Sequence, residues 1–586
     1  MVSRSQEEHT VFSIEFSQAG EIERISCMQA KDGSFYAVIP RNVSLSSVRL
    51  RLHGGGSAVL DGQAWEDAFC CGDLDFNTDY PLTYTWRGNA YSSGFAVLSA
   101  GGNGALFIDT HSGNMEYVHG NKGNKEAGNY VLYGVEGNID SSGALSAVWV
   151  RGNYTWYASD KKAYGVTLSK EADLLDMGSA TEWILLANAA DPTHLRNQLV
   201  YSFAEALGME YSPDSRWVDL YLNGEYAGLY QLCERNEIAS DRVDISQETG
   251  VLVSLELEER FTEPGIRFIK TDSGQVLRIR SKNELTEEQE KLWQMVENAI
   301  MAENGIDPIS GKSYCELIDL ESWAKKLLIE EFFGNIDGGV ISQYFYTEGE
   351  KVFAGPVWDY DLSMGVEARW IWQLTESKAI FAIREEVKAG ITAPWFAALW
   401  QKDEFRNYAL SIYREEFLPL MELYVSEWIP DQAEKLAHGV TLDAIRWKEG
   451  VQTTEEQTEY LICYLRERME FLDSLWLQNE KYCFVQINDG LNSNYAYYAL
   501  LPGEHLEALP EPDGSGAEFQ GWYYADSGEP FDIHRPITEN IAIFAKWHQV
   551  SETGLGQIVK LAPLGVIGLL GIVLLVFELR RNWKRK

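Results

Sequence analysis

Basic residues are scarce for a chain of this size. Against 88 Asp and Glu stand only 49 Lys and Arg, a formal net charge of −39 over 586 residues. Neutralising a phosphate backbone requires a basic face, so nucleic acid is excluded as a general partner. A body lying flat on anionic lipid is excluded for the same reason. Histidine is also sparse: nine residues, none in a His-Glu-x-x-His arrangement, leave a zinc site without support. The seven cysteines are an odd number, and no Cys-x-x-Cys pair occurs among them. Cys70 and Cys71 are too close for an ordinary bridge, so no disulfide framework is expected. Catalytic signatures are missing as well. Without a Gly-x-Ser-x-Gly elbow, His53-Gly54-Gly55-Gly56 reads as a turn and not as an esterase oxyanion loop. No Gly-x-Gly-x-x-Gly occurs. Gly311-Lys312-Ser313 imitates the end of a Walker A loop, but its upstream Gly305 is one residue too far away and a helix, not a strand, precedes it.

What is present is core material. The length of 586 residues suggests about three to four domains, and with 45% hydrophobic and 12% aromatic residues there is material for several cores. Residues 1–98 read as short strands separated by Gly-rich turns, an accessory β-rich domain. From 99 to about 250 the pattern stays strand-rich. One helix is expected over 191–207, with Asp191 as N-cap, Pro192 at the first helical position and Gly208 ending it. Asn223-Gly224 then marks a hairpin. From about 284 to 480 the chain reads as mostly helical, interrupted by a strand-like stretch at 343–358. Residues 483–549 are strand-rich again, and their aromatics read as core rather than as a ligand platform.

Residues 561–577 carry no charge and are followed by a tail with five cations, so a membrane span is expected. The positive-inside rule puts that tail in the cytoplasm and the acidic bulk outside, a single-pass cell-membrane protein. Residues 1–10 contain no apolar signal region. The expectation is therefore a truncated start, with a tail-anchored protein as the alternative.

The chemistry concentrates in two carboxylate clusters. Asn335-Ile336-Asp337 follows an amphipathic helix, and Asp359 of Trp358-Asp359-Tyr360-Asp361 lies 22 residues beyond Asp337. Alternation at a strand end would put Asp359 and Asp361 on one side, facing one hard cation. An Asp at a helix end can accept the proton of an attacking hydroxyl. The competing reading of these acids is loop caps and turn formers. A second set comprises Arg151-Gly152-Asn153-x-Thr155-Trp156 with Lys161-Lys162-x-Tyr164. A third comprises Leu195-Arg196-Asn197 and Asn223-Gly224-Glu225-Tyr226-x-Gly228-x-Tyr230, with Glu234 after it.

Taken in order, these motifs resemble the CotH kinase family, an atypical protein-kinase-like family named for spore coat protein H. The resemblance runs from about Ala105 to about Leu475. It implies an α+β, two-lobe kinase-like fold, β-rich then helical, over 99–482. That fold would be flanked by small all-β modules at 1–98 and 483–549, with a transmembrane helix and basic tail in 550–586. It implies transfer of phosphate from ATP, with Mg²⁺ or Mn²⁺, to Ser or Thr of a coat or cell-surface protein. Asp337 falls at the family's catalytic Asp, with Asn335 supporting it, and Asp359 at the metal-binding Asp. Asp361 is a further metal candidate, and Gln343 is the nearest amide ligand. Arg151, Lys161 and Lys162 are candidates for the phosphates, and Glu234 completes the ATP-binding set. The 483–549 module resembles the small β-grasp repeats of bacterial surface proteins. The acidic body points to a basic or Ser-rich protein acceptor. The alternatives are a pseudokinase scaffold for coat or surface assembly and a carbohydrate-binding adhesin.

Overall fold

The computed structural model describes residues 10–101, 103–257, 266–338, 341–366, 377–383, 395–447, 453–490, 495–509 and 517–549. The architecture is mixed α+β, in two compact units. One comprises Met1–Leu195, Pro213–Asn236 and Pro430–Thr458; the other comprises Arg196–Ser212, Glu237–Ile429 and Glu459–Lys586. Among the described residues no helix is long and apolar enough to cross a membrane. The span expected at 561–577 lies outside them.

The first unit begins with a four-stranded and a six-stranded sheet. In Phe12–Gln18, Phe12, Ile14 and Phe16 are buried while the intervening residues are not, the two-residue period of a half-buried strand. The Gly-rich turn after His53 keeps Gly54, Gly55 and Gly56 at positive φ. A seven-stranded barrel follows, closed where Gly104–Thr110 pairs in parallel with Ser215–Leu222. Leu132, Val148, Val166, Trp183 and Leu220 belong to its core. The expected hairpin joins Ser215–Leu222 to Glu225–Glu234, with φ of 50° at Asn223 and 76° at Gly224. A two-residue turn matching the strand twist requires positive φ at both positions, which explains the Asn-Gly pair. Pro430–Thr458, which includes most of the helix Ile429–Trp447 and the start of the helix Thr454–Trp476, belongs to this unit too.

The second unit holds a five-stranded sheet ordered Phe268–Lys270, Val276–Ile279, Val251–Glu256, Tyr344–Glu348, Lys351–Ala354. The strand-like stretch at 343–358 is thus a hairpin that ends at Ala354. The helix expected from Asp191 starts later, at Arg196. The carboxylate of Asp191 instead accepts from the N–H and hydroxyl of Thr193, and His194 takes φ 60°. Local side-chain bonds to the backbone outcompeted the cap. The other end is as expected: Gly208, at φ 79°, terminates the helix, with Met209 N–H donating to the Ala204 carbonyl. Gly311-Lys312-Ser313 follows a turn and leads into the short helix Tyr314–Leu317, where Ser313 and Glu316 make a capping box. Residues 483–549 form a four-stranded sheet with Cys483–Asn488 and Ile541–Gln549 parallel at its centre. Trp522, Tyr524 and Phe531 pack against its core. All seven cysteines are free.

Candidate functional site

In the second unit, helix Leu320–Phe332 is capped by Asp319, whose side chain accepts from Ser322 N–H at 2.8 Å. Gly334, at φ 61°, stops it. Gly334 N–H donates to the Glu331 carbonyl and Asn335 N–H to the Glu330 carbonyl, which folds the chain back on its own last turn. A Cβ on Gly334 would lie 2.6 Å from the Tyr464 hydroxyl. This return brings Asn335 Nδ2 within 2.7 Å of Glu330 Oε2, and Asn335 Oδ1 accepts from Asp337 N–H at 3.0 Å. Asp337 is half-buried, at the rim of the turn.

The other carboxylates sit on a loop held from two sides. Asn197 Oδ1 accepts from Tyr360 N–H at 2.8 Å. Arg196 donates to the carbonyls of Ser363 and Met364, each at 3.1 Å. The Leu-Arg-Asn motif therefore has a physical task, fixing the backbone beyond Asp359. The strand alternation expected for Asp359 and Asp361 does not reach them. Asp359 has φ 74°, uncommon for a residue with a Cβ, and is exposed between buried Trp358 and Tyr360. Asp361 is half-buried.

Sequence reasoning missed the group that joins these pieces. Glu330, fully buried, accepts from Asn335 Nδ2 and from Gln343 Nε2 at 3.3 Å with one oxygen. Its other oxygen accepts from the Tyr360 hydroxyl and pairs with Lys326 Nζ at 2.6 Å. Burial pushes the Tyr360 hydroxyl well above its usual pKa, and the Glu330 carboxylate adds to that. Burial also lowers the Lys326 ammonium, with Glu330 opposing it. The signal was available in part: a Lys-x-x-x-Glu pair sat on the apolar face of a predicted helix. Beside it, Glu331 accepts from the N–H groups of Phe381, Ala382 and Ile383 and pairs with Arg468.

A Mg²⁺ or Mn²⁺ ion asks for oxygen donors. Asp359 and Asp361 offer carboxylates, and Gln343 Oε1 is a buried acceptor on which no donor sits. In kind, this set suits a hard cation. Among the described residues no group of three or more His, Cys, Asp or Glu is placed to hold a metal. A cation that also binds substrate phosphates needs only one or two carboxylates.

The first unit carries the cationic candidates. Lys161 Nζ, 2% exposed, lies 2.8 Å from Asp443 Oδ1 and 2.8 Å from the Leu229 carbonyl. Asp443 also accepts from Leu229 N–H at 2.8 Å, and its second oxygen is 3.4 Å from His194 Nε2. Burial alone would raise the Asp443 carboxyl, but Lys161 and His194 hold it below the usual range. Gly228 admits this carboxylate: a Cβ there would meet Asp443 Oδ1 at 2.2 Å. Nothing local in the sequence announced Asp443. Lys162 Nζ donates to the carbonyls of Thr155, Trp156 and Ser159, wrapping the 153–160 loop around itself. Arg151 ends the strand Ile139–Arg151 and is half-buried. Glu234 ends Glu225–Glu234 and accepts from Asp214 N–H at 2.9 Å.

No curated protein matches this chain. The family model described as CotH kinase protein matches residues 148–472, more than half of the 586, and takes in Arg151, Lys161, Glu234, Asp337 and Asp359. The chain belongs to the CotH kinase family.

Proposed function

We propose that this CotH-family chain is a protein kinase that moves the γ-phosphoryl group of ATP to a Ser or Thr hydroxyl of a coat or cell-surface protein. The acceptor oxygen attacks the γ-phosphorus, the bond to the β–γ bridging oxygen breaks, and ADP leaves. Asp337 takes the hydroxyl proton, and Asn335 holds the Asp337 backbone for that task. Asp359, Asp361 and Gln343 would hold Mg²⁺ or Mn²⁺, which would offset the phosphate charge. Arg151 and Lys162 are the candidates for the phosphates and Glu234 for the nucleotide, while Lys161 is committed to Asp443 and the Leu229 carbonyl. The observation that carries the reading is Asp359. It is exposed and left-handed, on a loop whose buried neighbours are pinned by Asn197 and Arg196. Residues held in such conformations cluster at functional sites.

The membrane expectation belongs to the same proposal. Residues 561–577 anchor the protein, the basic tail is cytoplasmic, and 483–549 is a β-grasp-like spacer on the outer side. The acceptor is basic or Ser-rich. A pseudokinase scaffold is the second reading, favoured by the engagement of Lys161 with Asp443 and the Leu229 carbonyl.

Radiolabelled phosphate transfer from ATP to a basic, Ser-rich protein tests the proposal, wild type against Asp359→Ala. Transfer by the wild type and its loss in the variant support the kinase. Transfer by neither overturns the kinase, and the absence of Mg²⁺-dependent nucleotide binding in thermal shift then supports the scaffold.

A further inference from the structure

We propose that Glu330 is the positioning residue of this site, setting the Asp337 turn, the Gln343 amide and the Asp359–Asp361 loop through one buried carboxylate. The inference rests on the kinase reading above and deepens it. Its basis is the chemistry of an ionised carboxylate, which can only accept hydrogen bonds. Asn335 and Gln343 must both turn their NH₂ groups toward Glu330 Oε2, at 2.7 Å and 3.3 Å. Each amide oxygen is thereby forced the other way. Asn335 Oδ1 lands on Asp337 N–H and fixes the base. Gln343 Oε1 is left buried with no donor, an acceptor kept open for a cation. The other carboxylate oxygen takes the Tyr360 hydroxyl, and Tyr360 stands between the two acids of the metal loop.

A merely structural role fits the same atoms poorly. Lys326, Glu330, Gln343 and Tyr360 are fully buried and Asn335 is 2% exposed. Buried ion pairs are weak contributors to stability, and apolar residues of similar volume often serve as well. What an apolar pair could not do is dictate which way two amides face. Lys326, one helical turn before Glu330, supplies the counter-charge that a buried acceptor of four donors requires.

The test uses the full chain and follows phosphate transfer against Mg²⁺ concentration for the wild type, Tyr360→Phe and Glu330→Gln. Tyr360→Phe removes one hydroxyl and keeps the ring. It is expected to raise the Mg²⁺ needed for half-maximal transfer by about tenfold, more than it lowers kcat, as deletions behind metal ligands do. Glu330→Gln gives position 330 a donor and removes its charge, so either a facing amide turns over or the new NH₂ meets the Lys326 ammonium. Both the Mg²⁺ requirement and kcat are expected to worsen. Circular dichroism checks folding, and should Glu330→Gln unfold, Tyr360→Phe decides. Wild-type transfer with an unshifted Mg²⁺ curve in the folded variants overturns the role of Glu330 alone. A flat wild-type curve overturns the kinase reading, and this role with it.

Discussion

Replacing Lys161 by Met separates a cation that holds the fold from one kept free for phosphate. In the barrel unit the Lys161 ammonium is 2% exposed, with Asp443 Oδ1 and the Leu229 carbonyl both at 2.8 Å and the Tyr230 ring 4.9 Å away. Methionine fills much of the same volume but leaves the Asp443 carboxylate buried beside Leu229 N–H and His194 alone. Removing one partner of a buried pair costs about 3–5 kcal/mol. For a unit of about 250 residues, each kcal/mol lowers Tm by about 2–4 °C, so a fall of about 6–20 °C is expected in scanning calorimetry. The pH profile should move with it. A carboxyl lowered in the folded state adds stability above its unfolded pKa of about 3.9, and that stability is lost as pH falls through the folded value. Without Lys161, burial raises the Asp443 carboxyl, and acid sensitivity should begin at higher pH. The second arm is Lys161→Met with Asp443→Asn. Asparagine still accepts from Leu229 N–H and leaves no charge behind, so the double variant should be more stable than Lys161→Met alone. A Tm within 1 °C of wild type for Lys161→Met would refute the argument, and so would simple additivity in the double variant.

Three further outcomes are expected. Burial pushes the Asp219 carboxyl up to about 7, against its bond from the Tyr226 hydroxyl and with Asp443 adding repulsion. Its contribution is therefore fully present below the unfolded value and falls as pH rises from about 4 to 7; Asp219→Asn should gain relative to wild type by up to about 4 kcal/mol across that window. A Tm difference constant from pH 5 to 8 would refute it. Gly365, at φ 75°, would place a Cβ 2.7 Å from the Tyr460 hydroxyl and 2.8 Å from Tyr464, so Gly365→Ala should lose about 2 kcal/mol or more in urea unfolding. Asp337→Asn should lower kcat by about 10²–10⁴-fold while Mg²⁺-dependent ATP binding, read by thermal shift, persists.

Local chemistry was the part of this molecule legible in the sequence. The Asn223-Gly224 hairpin, the stop at Gly208 and the amphipathic helix ahead of Asn335 each follow from nearby residues, and the structure has all three. The five ordered motifs were enough to name the family. Contacts between distant residues were not legible. Asp443 is nearly three hundred positions from Lys161, and no period or motif links them. The barrel closes through a parallel pairing of Gly104–Thr110 with Ser215–Leu222, which strand propensity cannot foretell. The acids at 359 and 361 were read with the pleat of a strand that in fact ends at Ala354. The helix start at Asp191 failed because two competing side-chain bonds, both local, satisfy the same groups.

The barrel unit is discontinuous in the chain, and this gives its synthesis a timetable. Its strands are complete by Asn236, yet the helical residues that bring Asp443 to Lys161 begin only at Pro430. About 200 residues must be made in between, which at 5–20 residues per second takes about 10–40 s. Throughout that interval the nascent barrel carries the Lys161 ammonium without its counter-charge, and Gly228 presents a notch with nothing in it. The first half of this protein finishes folding only after most of the second half has been translated.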